Sequence, residues 1–205
     1  MSTDEELLAA WGQGDRAAGS ELFTRHYSTV RRFFANKADD AAEDLIQQTF
    51  ASCVAGRARF EGRSSFRTYL LGIARNLLRQ HWEARRGRGQ HIDIEEVSLA
   101  ELGAGPSTLI SRDRDHRRLL DALRQVPLEQ QIILELYYWE GLSGSALGEA
   151  LGVGEDTARS RLRRAKVALG KEFRRLERFA GVPESTDENL ERWAFDLRAK
   201  IASRA

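Results

Sequence analysis

The chain is poor in the residues that staple, kink or anchor a protein. It carries one cysteine and three prolines in 205 residues, and no apolar run approaches the ~20 residues needed to span a bilayer. A lone thiol cannot close a disulfide within the chain, which excludes the disulfide-rich secreted class and suits a reducing compartment. Cys53 itself reads as a small core residue on a helix face. The first residues, MSTDEELLAAW, are acidic where a signal peptide is basic. The expected location is the cytoplasm, with no membrane insertion. Charge of one sign is also missing, since 32 basic side chains meet 31 acidic ones. No metal-ligand spacing links His26, His81, His91, His116 and Cys53, and neither a phosphate-binding glycine loop nor a nucleophile motif occurs. An enzyme, a metal site and a cofactor are therefore not expected.

What the chain does have is helical periodicity. Thr3 and Glu6 stand at capping-box spacing before a short helix that ends at Gly12 and Gly14. Leu22, Phe23, His26, Tyr27, Val30, Phe33 and Phe34 then repeat at three- and four-residue steps, with His26 a core-edge residue of that stripe. A third stripe holds Leu45, Ile46, Phe50, Cys53 and Val54, and a fourth runs from Phe66 through Leu70, Ile73, Ala74, Leu77 and Leu78. The resulting fold is all-α: two small helical domains, 1–87 and 113–178, joined by a flexible acidic linker at 88–112. The periodicity is lost over 88–107, a stretch that could reach roughly 66 Å when extended. A C-terminal extension at 179–205 carries Leu190, Trp193, Ala194, Leu197 and Ile201 on one face, with Ser185 and Glu188 at capping-box spacing. It either packs on the second domain or acts as a regulatory helix.

The charge balance conceals a segregation. Positions 57–88 hold nine arginines against Glu61 and Glu83, and positions 155–178 hold nine basic residues against four acidic ones. Two separated basic modules are the footprint of a polyanion touched at two places, although a solvated helix face gives the same count. In the first cluster Phe60, Phe66, Tyr69 and Trp82 are interleaved with arginines beside a Gly/Ser loop. Aromatic faces near cations suit unstacked bases, and a loop can pocket a flipped one. Phe66 and Tyr69 also fit the core stripe.

The second cluster is a helix-turn-helix. In LSGSALGEALGVGEDTARSRLRRAK, Leu147, Ala150 and Leu151 pack one helix, Gly152 turns the chain, and Ala158, Leu162 and Ala165 bury the inner face of the next. The outer face presents Arg159, Ser160, Arg163, Arg164 and Lys166, a surface that fits a major groove. Gly148 inside the first helix costs roughly 1 kcal/mol against alanine, which lowers the expected stability of this module.

With these motifs in order, the chain resembles the extracytoplasmic-function sigma factors of bacterial RNA polymerase. AAEDLIQQTF at 41–50 resembles their polymerase-binding helix. FEGRSSFRTYLLGIARNLLRQHWEARR resembles the segment that melts and reads the minus-ten element, and LRQVPLEQQIILELYYWEGLS followed by GEALGVGEDTARSRLRRAKVAL resembles the minus-thirty-five module. The resemblance implies partners in core RNA polymerase and promoter DNA, with an anti-sigma factor or other inhibitor as a further one. It implies a polymerase-binding face of Glu43, Asp44, Gln47 and Gln48. Minus-ten contacts would come from Phe60, Glu61, Gly62, Arg63, Ser64, Ser65, Arg75, Asn76 and Arg79, with Arg75 and Arg79 on phosphates. Minus-thirty-five contacts would come from Glu155, Thr157, Arg159, Ser160, Arg161, Arg163, Arg164 and Lys166, with Arg161, Arg164 and Lys166 on phosphates or in packing. A stand-alone helix-turn-helix regulator is the competing expectation.

Overall fold

The computed structural model describes residues 2–35, 37–57, 60, 62–85, 96–102 and 113–202. Among them all regular elements are helical, apart from one isolated bridge between Ser98 and Pro127. Helix α1 (Asp4–Gly12) opens on the expected capping box, in which the Glu6 amide donates to Thr3 Oγ1 at 3.2 Å and the Thr3 amide to Glu6 Oε2 at 2.9 Å. Asp15 caps α2 (Arg16–Phe34), and α3 (Ala42–Gly56) follows a single 3-10 turn at Asp39–Ala41. Helix α4 (Phe66–Arg85) starts at Ser65, whose hydroxyl accepts from the Thr68 amide at 3.2 Å and pairs with the Thr68 hydroxyl.

The first four helices close on Leu22, Val30, Phe34, Leu45, Ile46, Leu70, Leu78 and Trp82, all buried. Trp11 fixes α1 against this core, with its ring 5.4 Å from Phe23 and 6.5 Å from Phe66 in edge contacts. Gly19 permits the approach, because a Cβ there would sit 2.7 Å from Trp11 Nε1. His26 is buried, as its stripe position requires, and its Nε2 lies 2.6 Å from Asp4 Oδ2.

In the second half, α5 (Arg114–Leu123) and α6 (Leu128–Tyr138) pack on α8 (Glu155–Ala180), with α7 (Gly144–Leu151) across the N-terminal part of α8. Leu119, Ile132, Leu136, Leu147, Ala158, Ala165 and Phe173 are the centre of that core. The extension forms α9 (Asp187–Ala202) and lies on α5 and α6, burying Leu190, Ala194 and Leu197. Trp193 packs 5.6 Å from the Phe173 ring. Its cap differs from the expected Ser185: the Asn189 amide donates to Thr186 Oγ1, while Ser185 is drawn back onto the buried carboxylate of Glu177.

Two further features depart from the expectations. Part of the linker is ordered on the second half. Leu99 is fully buried, the Leu128 amide donates to Val97 O at 2.9 Å, and Ser98 and Glu101 cap one another. The acidic residues and glycines of this stretch conceal the short apolar series Val97, Leu99 and Leu102, too brief to show a period. The rest of the expected linker, 88–95 and 103–112, lies outside the described residues, as does Arg86. The two halves also dock on one another. Helix α4 crosses α7 so closely that a Cβ on Gly72 would meet the Ala150 carbonyl at 3.5 Å. Ion pairs join Lys37 to Glu135, Arg75 to Glu129, and both Arg32 and Arg67 to Glu140.

Candidate nucleic-acid and polymerase interface

Three surfaces collect the side chains singled out from the sequence. On α3, Glu43, Asp44, Gln47 and Gln48 are all exposed, opposite the buried Leu45, Ile46 and Thr49. Glu43 and Asp44 occupy the first turn, where the helix dipole favours negative charge. Exposed Tyr27 and Val54 flank this polar row, and the Tyr27 ring stacks on Phe50 at 6.4 Å between centroids. These two apolar contributors were not singled out for this face, since each also fits a core stripe.

The second surface surrounds the loop that precedes α4. Gly62 adopts a φ of +68°, a left-handed turn that glycine makes without strain. Arg63 and Ser65 are exposed, Ser64 is half-buried, and Glu61 lies outside the described residues. Phe60 stands 4.9 Å from the Tyr69 ring and 6.1 Å from Phe66. Phe66 is buried as core, whereas Tyr69 is half-buried and lines a cleft of about 390 Å³ together with Leu8, Trp11, Arg57, Phe60 and Phe66. That volume falls within the range of small-molecule pockets. The Arg57 guanidinium closes one side, donating to the Trp11 carbonyl at 3.0 Å and lying 5.3 Å from the Trp11 ring. Cys53 also reaches this cleft, yet burial pushes its thiol up to about 12, which keeps it protonated and inert. The α1 contribution to the cleft was not legible in the sequence, because Trp11 is some fifty residues away and only packing of α1 on α2 brings it there.

Farther along α4, Asn76 and Arg79 are exposed. Arg75 is not free for a phosphate in this conformation: its Nε donates to both Glu129 oxygens, at 2.8 and 3.2 Å.

The third surface is the helix-turn-helix. Ser143 caps α7 by accepting from the Ala146 amide, and Gly152, with a φ of +68°, ends it. The Val153 amide then closes the turn on Gly148 O at 2.9 Å. Gly148 is here a packing requirement, since a Cβ would lie 2.8 Å from Val153 O. Along α8, Glu155, Thr157, Arg159, Ser160, Arg163 and Arg164 are exposed and Arg161 is half-buried, while Ala158 and Ala165 face the core. Arg159 reaches back to Glu155 at 2.5 Å. Lys166 takes up the packing alternative of its two expected roles in this conformation. Its ammonium bonds to Glu191 of α9 at 2.6 Å and lies 4.5 Å from the Tyr137 ring, turned from the outer face toward the extension. Beneath it, burial first and Glu191 second raise the Tyr138 hydroxyl above its ordinary pKa. Among the described residues no group of three potential metal ligands occurs, and no helix is long and apolar enough to cross a membrane.

A loop beside an aromatic cleft in one half, and an open cationic helix behind a glycine turn in the other, define a two-module helical protein. Comparison with known proteins gives the family. The Sigma-70 region 2 model matches residues 22–88, and the Sigma-70, region 4 model matches 116–169. RNA polymerase sigma factor CarQ of Myxococcus xanthus is 32% identical over 80% of this chain and 94% of its own length. ECF RNA polymerase sigma factor SigC of Mycobacterium tuberculosis is 34% identical over 82% and 92%. The fold matches the sigma factor RpoE from Bartonella quintana, solved with the anti-sigma factor NepR, with a TM-score of 0.56, 22% identity and coverage of 75% and 94%. The chain belongs to the ECF sigma factors, the RNA polymerase subunits that direct transcription to promoters.

Proposed function

We propose that the three surfaces divide the work of initiation. The exposed face of α3, centred on Glu43, Asp44, Gln47 and Gln48, docks core RNA polymerase. The loop 62–65 and the cleft behind it take unstacked bases of the minus-ten element, with Phe60 and Tyr69 as stacking surfaces and Asn76 and Arg79 following the strand. The α8 face, from Glu155 through Arg159, Ser160 and Arg163, reads the minus-thirty-five duplex, and Arg161 and Arg164 hold its phosphates. The protein acts in the cytoplasm without catalytic chemistry of its own, and an anti-sigma factor is its natural inhibitor.

The observation that supports this division is the cleft, because a regulator that binds only duplex DNA has no use for an aromatic pocket beside an arginine-rich loop. The test is transcription by purified core polymerase with this protein, with transcript starts sequenced. Swapping residues 62–65 should change the preferred minus-ten sequence and leave the minus-thirty-five preference intact. A change confined to the upstream element would reverse the assignment of the modules, and specific duplex binding without any core-dependent transcription would favour the stand-alone regulator.

A further inference from the structure

The cleft beside the loop has one charged wall. Among the described residues that line it, Arg57 alone is charged, and Trp11, Phe60, Phe66 and Tyr69 supply the aromatic surface. Arg57 has an architectural task. Helix α1 carries no basic residue in its last turn, and the Arg57 guanidinium brings a cation there from the end of α3, donating to the Trp11 carbonyl at 3.0 Å. The negative end of the α1 dipole favours that contact. It uses one of five guanidinium N–H groups. Elsewhere in this half Arg32, Arg67, Arg75 and Arg85 each face a carboxylate, whereas none pairs with Arg57 among the described residues, and Arg57 is exposed. The fork is also held in place. Its central carbon lies 5.3 Å from the buried Trp11 ring. A Cβ on neighbouring Gly56 would come within 2.8 Å of the Tyr69 hydroxyl oxygen, so the Tyr69 side chain closes on the same end of α3.

We propose that Arg57 is a base-reading residue for the minus-ten element, and that it selects for the cleft a base with two adjacent hydrogen-bond acceptors, guanine or cytosine, over adenine and thymine. The proposal rests on the reading of the cleft as a seat for an unstacked base and adds the side chain that gives the seat a preference. An unstacked base exposes its Hoogsteen and Watson–Crick edges. Guanine offers O6 beside N7, and cytosine O2 beside N3, each a match for two parallel N–H groups of one guanidinium. Adenine sets an amino donor beside its acceptors on both edges, and thymine separates its two carbonyls with an N–H. Either would leave a guanidinium donor facing another donor against an aromatic wall, where an unpaired polar group is costly. The Trp11 carbonyl and ring hold the fork before a base arrives, so little side-chain freedom is lost on binding. Phe60 and Tyr69 are indifferent to base identity, because every base has a π face. Arg57 is the described cleft residue that is not.

The test is transcription by the holoenzyme, core polymerase with the full chain, on a pool of templates carrying each of the four bases at every position of the minus-ten element. The parent should favour guanine or cytosine at one position by about 5- to 150-fold, the range of a bidentate contact. Arg57→Ala should bring the ratios at that position, and at no other, to within about twofold of unity. Asp4→Asn is the structural control. It loosens α1 through the Asp4 contacts with His26 at 2.6 Å and Arg25 at 2.7 Å, and leaves Arg57 in place. It should affect all templates alike. A uniform loss with Arg57→Ala, or the same flattening with Asp4→Asn, would make Arg57 a prop for α1 and overturn the proposal. An Arg57-dependent preference for adenine or thymine would overturn it too. Phe60→Ala keeps the two readings apart. If it weakens transcription while Arg57→Ala leaves every ratio unchanged, the cleft stands and the Arg57 assignment fails. If Arg57→Ala flattens one position and Phe60→Ala changes nothing, Arg57 reads a base and the cleft assignment alone fails.

Discussion

Gly148→Ala sets two physical effects of similar size against one another. In an exposed helix the change is stabilising by about 1 kcal/mol, because alanine gives up less backbone freedom than glycine. Here the new Cβ would lie 2.8 Å from Val153 O, 3.3 Å from the Glu155 amide nitrogen and 3.4 Å from Glu155 Cα. All three are backbone atoms of the turn, and Val153 is already tied to Gly148 O. The turn can relieve the clash only by moving α8 away from α7. Overpacking of this kind costs about 1–3 kcal/mol, so the expected net effect is a loss of about 1 kcal/mol. If the docked halves unfold together, the melting temperature should fall by about 2–4 °C. Affinity for a minus-thirty-five duplex should fall as well, since the start of α8 is what moves. Gly144→Ala is the matched control: its Cβ meets only side-chain atoms of Arg159 and Glu155, which can swing away. Circular-dichroism melts of both variants decide the matter. If Gly148→Ala melts as high as the parent or higher, the turn is soft and the packing argument is wrong.

Three other outcomes are expected. Asp44→Lys should weaken core-polymerase binding roughly tenfold in a titration, as reversal of an interface charge does, while the lost helix-dipole contact costs at most about 1 kcal/mol of stability; unchanged affinity would remove α3 from the polymerase face. Arg159→Ala should relax base preference at one position of the upstream element by about 1–3 kcal/mol, read by competition against a panel of single-base duplex variants, whereas a uniform loss would make Arg159 a backbone contact. Deleting residues 183–205 uncovers the face that Leu190, Trp193 and Leu197 occupy and should cost about 2 kcal/mol once the entropy of ordering α9 is offset. A truncated protein with an unchanged melting temperature and tighter promoter binding would make α9 a regulatory cover.

The amino-acid pattern by itself determined the helices and the two basic clusters. Periodicity marks every stripe, Thr3–Glu6 and Gly152 mark the ends, and the basic outer face of α8 follows from helical spacing alone, because these are local properties of the chain. Long-range packing decided the rest. Gly148 reads as a weak point in a helix until the turn beside it shows why no Cβ fits. Trp11 reads as the end of a short helix until α1 folds back and makes it a wall of the cleft. Arg75 reads as a phosphate contact and Lys166 as a phosphate or packing contact, and in the structure one meets Glu129 and the other Glu191. The acidic residues on and just after α6 are unremarkable in sequence, since Glu129, Glu135 and Glu140 follow no single helical face rule. Their role depends on which cations another module presents within a few ångströms, and the energy of such a pair is set by the solvent that docking removes, which is a property of the tertiary structure alone.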